Sequence, residues 1–92
     1  MHWTFHAMKS PNDIEIQGAI AIEIKHRRAK CKISQEELAH RAQVHRTFVA
    51  KIETAQTQPS LVVLFRMAEA LETDFSELVI AIEKRYRCRV NQ

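Results

Sequence analysis

Between Ser34 and Glu53 two short helical patterns follow each other with almost no chain to spare. Ser34 with Glu37 three residues on is a capping-box signature for a helix start. Leu38, Ala39 and Ala42 then share one side of a helix running to about Ala42. Val49 and Ile52 share one side of a second helix that begins near His45. Helices this short hold only by packing, so both stripes must face a common core. The second helix also has an outer side, where His45, Arg46, Thr47, Ala50 and Lys51 project opposite Val49 and Ile52. Two helices joined by a tight turn, the second with a cationic, hydrogen-bonding face, fit the major groove of DNA.

The rest of the chain supports an all-α fold. With 92 residues there is room for one domain and one modest core, and association would add stability. One glycine (Gly18) and two prolines (Pro11, Pro59) are too few for a turn-dense β fold. Ile14, Ile16, Ile20, Ile22 and Ile24 lean towards a period of two. Yet Ile16, Ile20, Ile24 and Cys31 also line one helical face, and 14–31 is too long for one strand; it reads as helix 1. After the polar loop Thr54–Pro59, Ser60 is the expected cap of helix 4, with Leu61, Leu64, Phe65, Ala68 and Leu71 at helical spacing. Asp74 with Glu77 repeats the capping-box signal ahead of helix 5, whose stripe is Phe75, Leu78, Val79 and Ile82, extended by Tyr86. Three stretches follow: a leader over 1–14, a domain over 15–86 and a basic tail over 87–92. The run Lys84–Arg89 is expected to fray. The leader is either flexible or brings Trp3 and Phe5 to a partner subunit.

Charge is distributed unevenly. Residues 25–51 hold eight Lys/Arg against Glu36 and Glu37, a balance of +6, whereas 60–83 set Arg66 against five acids, a balance of −4. The basic half would meet a polyanion; solvated helix faces are the plainer reading. Cys31 and Cys88 have no metal or redox spacing, and His2 and His6 lack any supporting ligand, so no metal and no cofactor are expected. The apolar runs Leu61–Phe65 and Leu78–Ile82 are too short for a membrane span. The start lacks the basic and apolar regions of a secretory signal, which makes the cytoplasm the default. No catalytic constellation is evident: there is no Ser/His/Asp arrangement and no glycine-rich phosphate loop, and the adjacent Glu36 and Glu37 point different ways on a helix. The chain is not expected to be an enzyme.

Over residues 19–80 the sequence resembles the phage-repressor-type (Cro/CI, XRE) helix-turn-helix family. The likeness rests on Ile24-Lys25-x-x-Arg28, Ile33-Ser34-Gln35-Glu36-Glu37-Leu38-Ala39, Val44-His45-Arg46-Thr47-Phe48-Val49-x-x-Ile52-Glu53, Pro59-Ser60-Leu61, Ala68-x-Ala70-Leu71 and Ser76-Glu77-Leu78. The His-Arg-Thr-Phe start of helix 3 is also similar to restriction–modification controller proteins. The resemblance implies a five-helix, lambda-repressor-like domain whose helices 2 and 3 form the helix-turn-helix. It departs at Lys32, Gln43, Ala55 and Glu72, where relatives place glycine. A left-handed conformation costs another residue about 1 kcal/mol, so either the turns differ or the monomer is less stable.

By the same resemblance, Arg46 reads a base, and a guanidinium suits guanine O6 and N7. Gln35 bonds a phosphate and braces the start of helix 3. His45, Thr47 and Lys51 complete the surface; Thr54, Gln56 and Thr57 are backbone candidates. Phe48 stands where many relatives have tyrosine, which removes a hydroxyl from that surface. Arg28 and Glu53 are expected to pair as a structural, mostly buried ion pair, and Cys31 to act as a small core residue. The implied partners are double-stranded DNA and a second copy, with Ile80 and Tyr86 of helix 5 at the dimer contact. Neither a membrane nor a small-molecule ligand is indicated. The function implied is a sequence-specific transcriptional regulator on a palindromic operator. The alternative is a DNA-binding antitoxin or an adaptor acting through a protein partner.

Overall fold

The computed structural model describes residues 11–91, and all regular structure among them is helical. Five helices follow in order: α1 (Pro11–Cys31), α2 (Gln35–Ala42), α3 (Arg46–Glu53), α4 (Leu61–Ala70) and α5 (Phe75–Val90). Helix α1 packs along α5 and also against α3, while α2 packs on α3 and α4. Ile24, Leu38, Val49, Ile52, Met67 and Leu78 are sealed at the centre where these helices meet. The leader's Trp3, Phe5, His2 and His6 lie outside the described residues.

All four turns expected to favour glycine are left-handed, and each is held by another residue: Lys32, Gln43, Ala55 and Glu72 have φ of 57–59°. The reason lies in the hydrogen bonds. Behind each left-handed residue, the next N–H reaches back to a carbonyl five residues earlier: Ile33 to Arg28, Val44 to Ala39, Gln56 to Lys51 and Thr73 to Ala68, at 2.8–3.3 Å. This closure satisfies the helix-end carbonyls. The turns are therefore unaltered, and the cost falls on stability.

The caps form unequally. Ser34 Oγ accepts the Glu37 N–H at 3.0 Å, and Ser60 Oγ accepts that of Val63 at 3.2 Å. The Glu37 carboxylate turns away to Arg41 Nε at 2.8 Å and does not close the expected box. Asp74 makes no side-chain cap bond. Glu77 Oε2 accepts instead from the Thr73 hydroxyl at 3.4 Å.

Several stripes face another way than the periodicity suggests. On α1, Ile24 is buried, but Ile16 is 40% exposed and Ile20 and Cys31 only half-buried; Gln17, Ala19, Ala21 and Glu23 are inside. Helix α5 lies antiparallel along this side, where small residues admit a close approach. Gly18 is one of them: a Cβ there would stand 2.5 Å from Arg89 Nη2, so the bare backbone lets that side chain cross α1 to reach Glu15 at 2.9 Å. On α4 the buried stripe is Leu64, Met67, Ala68 and Leu71, leaving Leu61 and Phe65 exposed. On α5, Leu78 and Ile82 are buried and Val79 is outside.

The basic run Lys84–Arg89 is not frayed; it is helical to Val90, because acids on α1 hold it. Glu23, 4% exposed, accepts from Arg85 Nε at 2.5 Å with one oxygen and from Arg27 Nε at 2.6 Å with the other. Arg27 Nη1 goes on to donate to Thr73 Oγ1 at 2.9 Å. Burial alone would raise the Glu23 pKa. The bonds and charges of Arg85 and Arg27 outweigh it, and the carboxyl is held below its ordinary 4.5.

Candidate nucleic-acid interface

The α2–turn–α3 unit is fastened from within. Leu38, Ala39 and Ala42 of α2 and Val49 and Ile52 of α3 share the core, which sets the roll of α3 about its axis. Its C-terminal end is fixed by Glu53, whose side chain is 2% exposed. Arg28 of α1 grips this carboxylate with two prongs, Nε to Oε2 at 2.6 Å and Nη2 to Oε1 at 3.0 Å. Arg28 Nη1 also donates to the Ile33 carbonyl at 2.9 Å, which ties the α1–α2 turn to the same fork. The hydrogen bond to Glu53 raises the Arg28 guanidinium above its ordinary value; burial opposes it, and the charge of Glu53 reinforces it.

Gln35 belongs to this inner network. Its Nε2 donates to Glu53 Oε1 at 3.0 Å, so the first residue of α2 braces the last residue of α3. That is the far end of α3 from Arg46, whose start Gln35 was expected to brace.

The outer side carries the opposite character. Arg46, Thr47 and Lys51 are exposed, in line with Val49 and Ile52 facing inward, and Ala50 is half-buried between the two sides. His45 precedes the helix as its N-cap, with Nδ1 accepting the Thr47 N–H at 3.2 Å. Phe48 is half-buried against the core. In the loop beyond, Thr54 Oγ1 donates back to the α3 carbonyls and accepts from Gln56 Nε2 at 2.8 Å; Thr57 is half-buried. These loop residues are gathered at one end of α3, while His45, Arg46 and Thr47 are gathered at the other.

Two residues missed by sequence reasoning stand beside that start. Glu36 and His40 of α2, with His45 and Arg46, line a shallow hollow between the helices. Their spacing of four places them on one face of α2; only the roll of α2 against α3 shows that this face adjoins Arg46.

The apolar surface is broader than Ile80 and Tyr86. Ile80 is 51% exposed, and Tyr86 is half-buried in a groove with Ile16, Val79 and Ile82. Six residues apart, they stand about 120° apart around α5, so the two do not share one flat face. Leu61, Val62 and Phe65 of α4 form a second exposed cluster with Phe75, the two phenylalanine rings 5.6 Å apart. The five-residue apolar run Leu61–Phe65 signals this, because a helix cannot bury five successive side chains on one face.

Cys31 is half-buried, its Sγ 3.4 Å from the Leu71 carbonyl, and Cys88 is exposed. No group of three or more His, Cys, Asp or Glu is placed to hold a metal among the described residues. No described helix is long and apolar enough to cross a membrane.

Comparison with known proteins agrees with this geometry. The helix-turn-helix family pattern matches residues 24–78, more than half of the chain. No curated protein matches the sequence. Among solved structures, the restriction–modification controller protein C.AhdI of Aeromonas hydrophila is 29% identical with a TM-score of 0.65, covering 67% of this chain and 94% of that one. The hypothetical transcription factor NHTF of Neisseria is 25% identical with a TM-score of 0.70, covering 92% and 97%. The clp gene regulator ClgR of Corynebacterium glutamicum shares the fold at 18% identity, with a TM-score of 0.77 over 84% and 82% of the two chains. With the whole α2–turn–α3 unit inside the matched pattern, the chain belongs to the XRE-type helix-turn-helix family of DNA-binding transcriptional regulators.

Proposed function

We propose that the protein is a sequence-specific regulator that binds a two-fold-symmetric operator as a homodimer. The observation that carries this reading is the division of α3. Its inner side is locked by Val49, Ile52 and the Arg28–Glu53 fork, and its outer side offers Arg46, Thr47 and Lys51 to solvent. A helix held so firmly presents side chains to base edges at fixed positions. Arg46 bonds a guanine with two prongs, Thr47 offers its hydroxyl and methyl, and Lys51 reaches a base or phosphate one turn on.

Two copies place their α3 helices in successive major grooves, roughly 34 Å apart. The exposed apolar residues of α4 and α5, Ile80 among them, supply the contact between the two copies, with the half-buried Tyr86 at its edge. Dimerisation multiplies a weak half-site affinity. Repression by occluding polymerase is the simplest mode. The likeness to C.AhdI supports a restriction–modification controller as the subtype.

Selecting bound sites from random duplexes tests the reading. The expected product is a palindrome, with Arg46→Ala relaxing one base pair per half-site by about 1–3 kcal/mol of discrimination. Unchanged preference in that variant refutes the role of Arg46. A stoichiometric foreign protein that co-purifies, without a free dimer, points instead to an antitoxin or adaptor. Lys51→Ala is expected to weaken binding and reduce the salt slope by about 1 if Lys51 meets phosphate.

A further inference from the structure

Helix α3 begins on an unusual cap. Ser, Thr, Asp and Asn are favoured at this position because their oxygen accepts a backbone N–H. An imidazole nitrogen accepts only while it carries no proton. His45 has the extended backbone of an N-cap, φ −76° and ψ 144°, and its Nδ1 accepts the Thr47 N–H. That bond assigns the tautomer: the lone pair sits on Nδ1 and the hydrogen on Nε2. Protonating Nδ1 turns the acceptor into a donor. It also sets a positive charge on the helix end whose partial charge is already positive. The ring is exposed, so solvent protons reach it. The charged and titratable groups around it are Arg46 on α3 and Glu36 and His40 on α2; the hollow they share is lined only by α2, the turn and α3.

Resting on the DNA reading above, we propose that His45 is a positioning residue: its neutral Nδ1 holds the first turn of α3, and with it Arg46 and Thr47, in the geometry that discriminates between DNA sequences. Histidine ordinarily changes charge between about pH 5 and 8. Discrimination therefore falls once Nδ1 takes up a proton and the cap bond is lost. The added charge attracts every phosphate backbone alike, so affinity for unrelated DNA holds or rises while preference for the chosen site shrinks.

The cap is tested first without DNA. In the full chain with nitrogen-15 histidine, NMR at pH 8 is expected to show His45 with Nδ1 bare and Nε2 protonated; the reverse tautomer overturns the proposal. Next comes the ratio of dissociation constants for a scrambled and a selected duplex at pH 8 and pH 5.5. The wild-type ratio is expected to fall on the order of fivefold per half-site, the effect of one lost cap. His45→Asn keeps a capping oxygen that does not titrate, and its ratio is expected to stay level. A constant wild-type ratio, or an equal fall in His45→Asn, overturns the proposal and assigns any pH effect to other groups such as His40. Absence of sequence preference at both pH values defeats the DNA reading and the discriminating role with it, whereas the NMR result decides the cap alone.

Discussion

Glu53 and Glu23 are both nearly sealed from water, 9% and 4% exposed, and both are gripped by arginines, yet they join different parts of the molecule. Glu53 takes a two-pronged fork from one guanidinium on α1 and an amide from Gln35 on α2, so three helices converge on one carboxylate at the end of α3. Glu23 divides its oxygens between Arg27 on its own helix and Arg85 on α5, and so fastens two long helices side by side. The first arrangement sets the position of α3, the helix proposed to face DNA. The second extends the scaffold behind it. The family pattern spans 24–78, so Glu53 and Arg28 lie inside it, while Glu23 and Arg85 fall outside. The fork that fixes α3 therefore lies within the matched pattern, and the α1–α5 clasp lies beyond its bounds.

Three substitutions probe the two carboxylates and the turn beyond α3. Arg28→Ala has the largest expected effect, because it leaves Glu53 buried without its charge partner. A loss of about 3–5 kcal/mol is expected, seen in urea unfolding without DNA; full stability with lost DNA binding would remove the structural assignment. Glu23→Gln comes next. Its carboxyl is held below 4.5 in the folded chain, so its contribution is complete above the ordinary value and disappears as pH falls through the lower folded value. At pH 7 the variant is expected to lose about 1–3 kcal/mol, with increased hydrogen exchange confined to the second half of α5. In acid its stability is expected to converge with wild type. A gap that persists unchanged below the folded titration would show that the charge is not what stabilises the clasp. Ala55→Gly is the mildest. It relieves a left-handed alanine just after α3 and is expected to add about 1 kcal/mol. A destabilised variant would mean that the Ala55 side chain contributes packing worth more than the strain.

What the sequence shows clearly is the local grammar. Ser34 and Ser60 are recognisable because each cap depends on bonds within a few residues, whereas the turns at Lys32, Gln43, Ala55 and Glu72 are found only through resemblance, which leaves their left-handed form open. The inner stripe of α3 and the Arg28–Glu53 pairing are also legible, the latter only through resemblance. Less visible is anything that depends on which way a helix rolls. Five apolar residues in a row at Leu61–Phe65 define no single stripe, and the core takes Leu64 and Met67 in place of Leu61 and Phe65. The isoleucines of α1 are conspicuous, yet only Ile24 is sealed; the rest of the buried side is Gln17, Gly18, Ala19, Ala21 and Glu23, where small residues admit the approach of α5. Nothing near Arg85 and Arg89 in sequence announces Glu23 and Glu15, their partners on α1 more than sixty residues earlier.

The antiparallel lie of α1 and α5 has a further consequence for the connectivity of the chain. Because Glu15 and Arg89 touch, Pro11 and Asn91 emerge at the same end of the pair. A short linker between those positions, with a new opening in the exposed loop before Ser60, yields a permuted polypeptide that preserves every helix. Its folding would report how far this architecture depends on the order in which its parts are strung together.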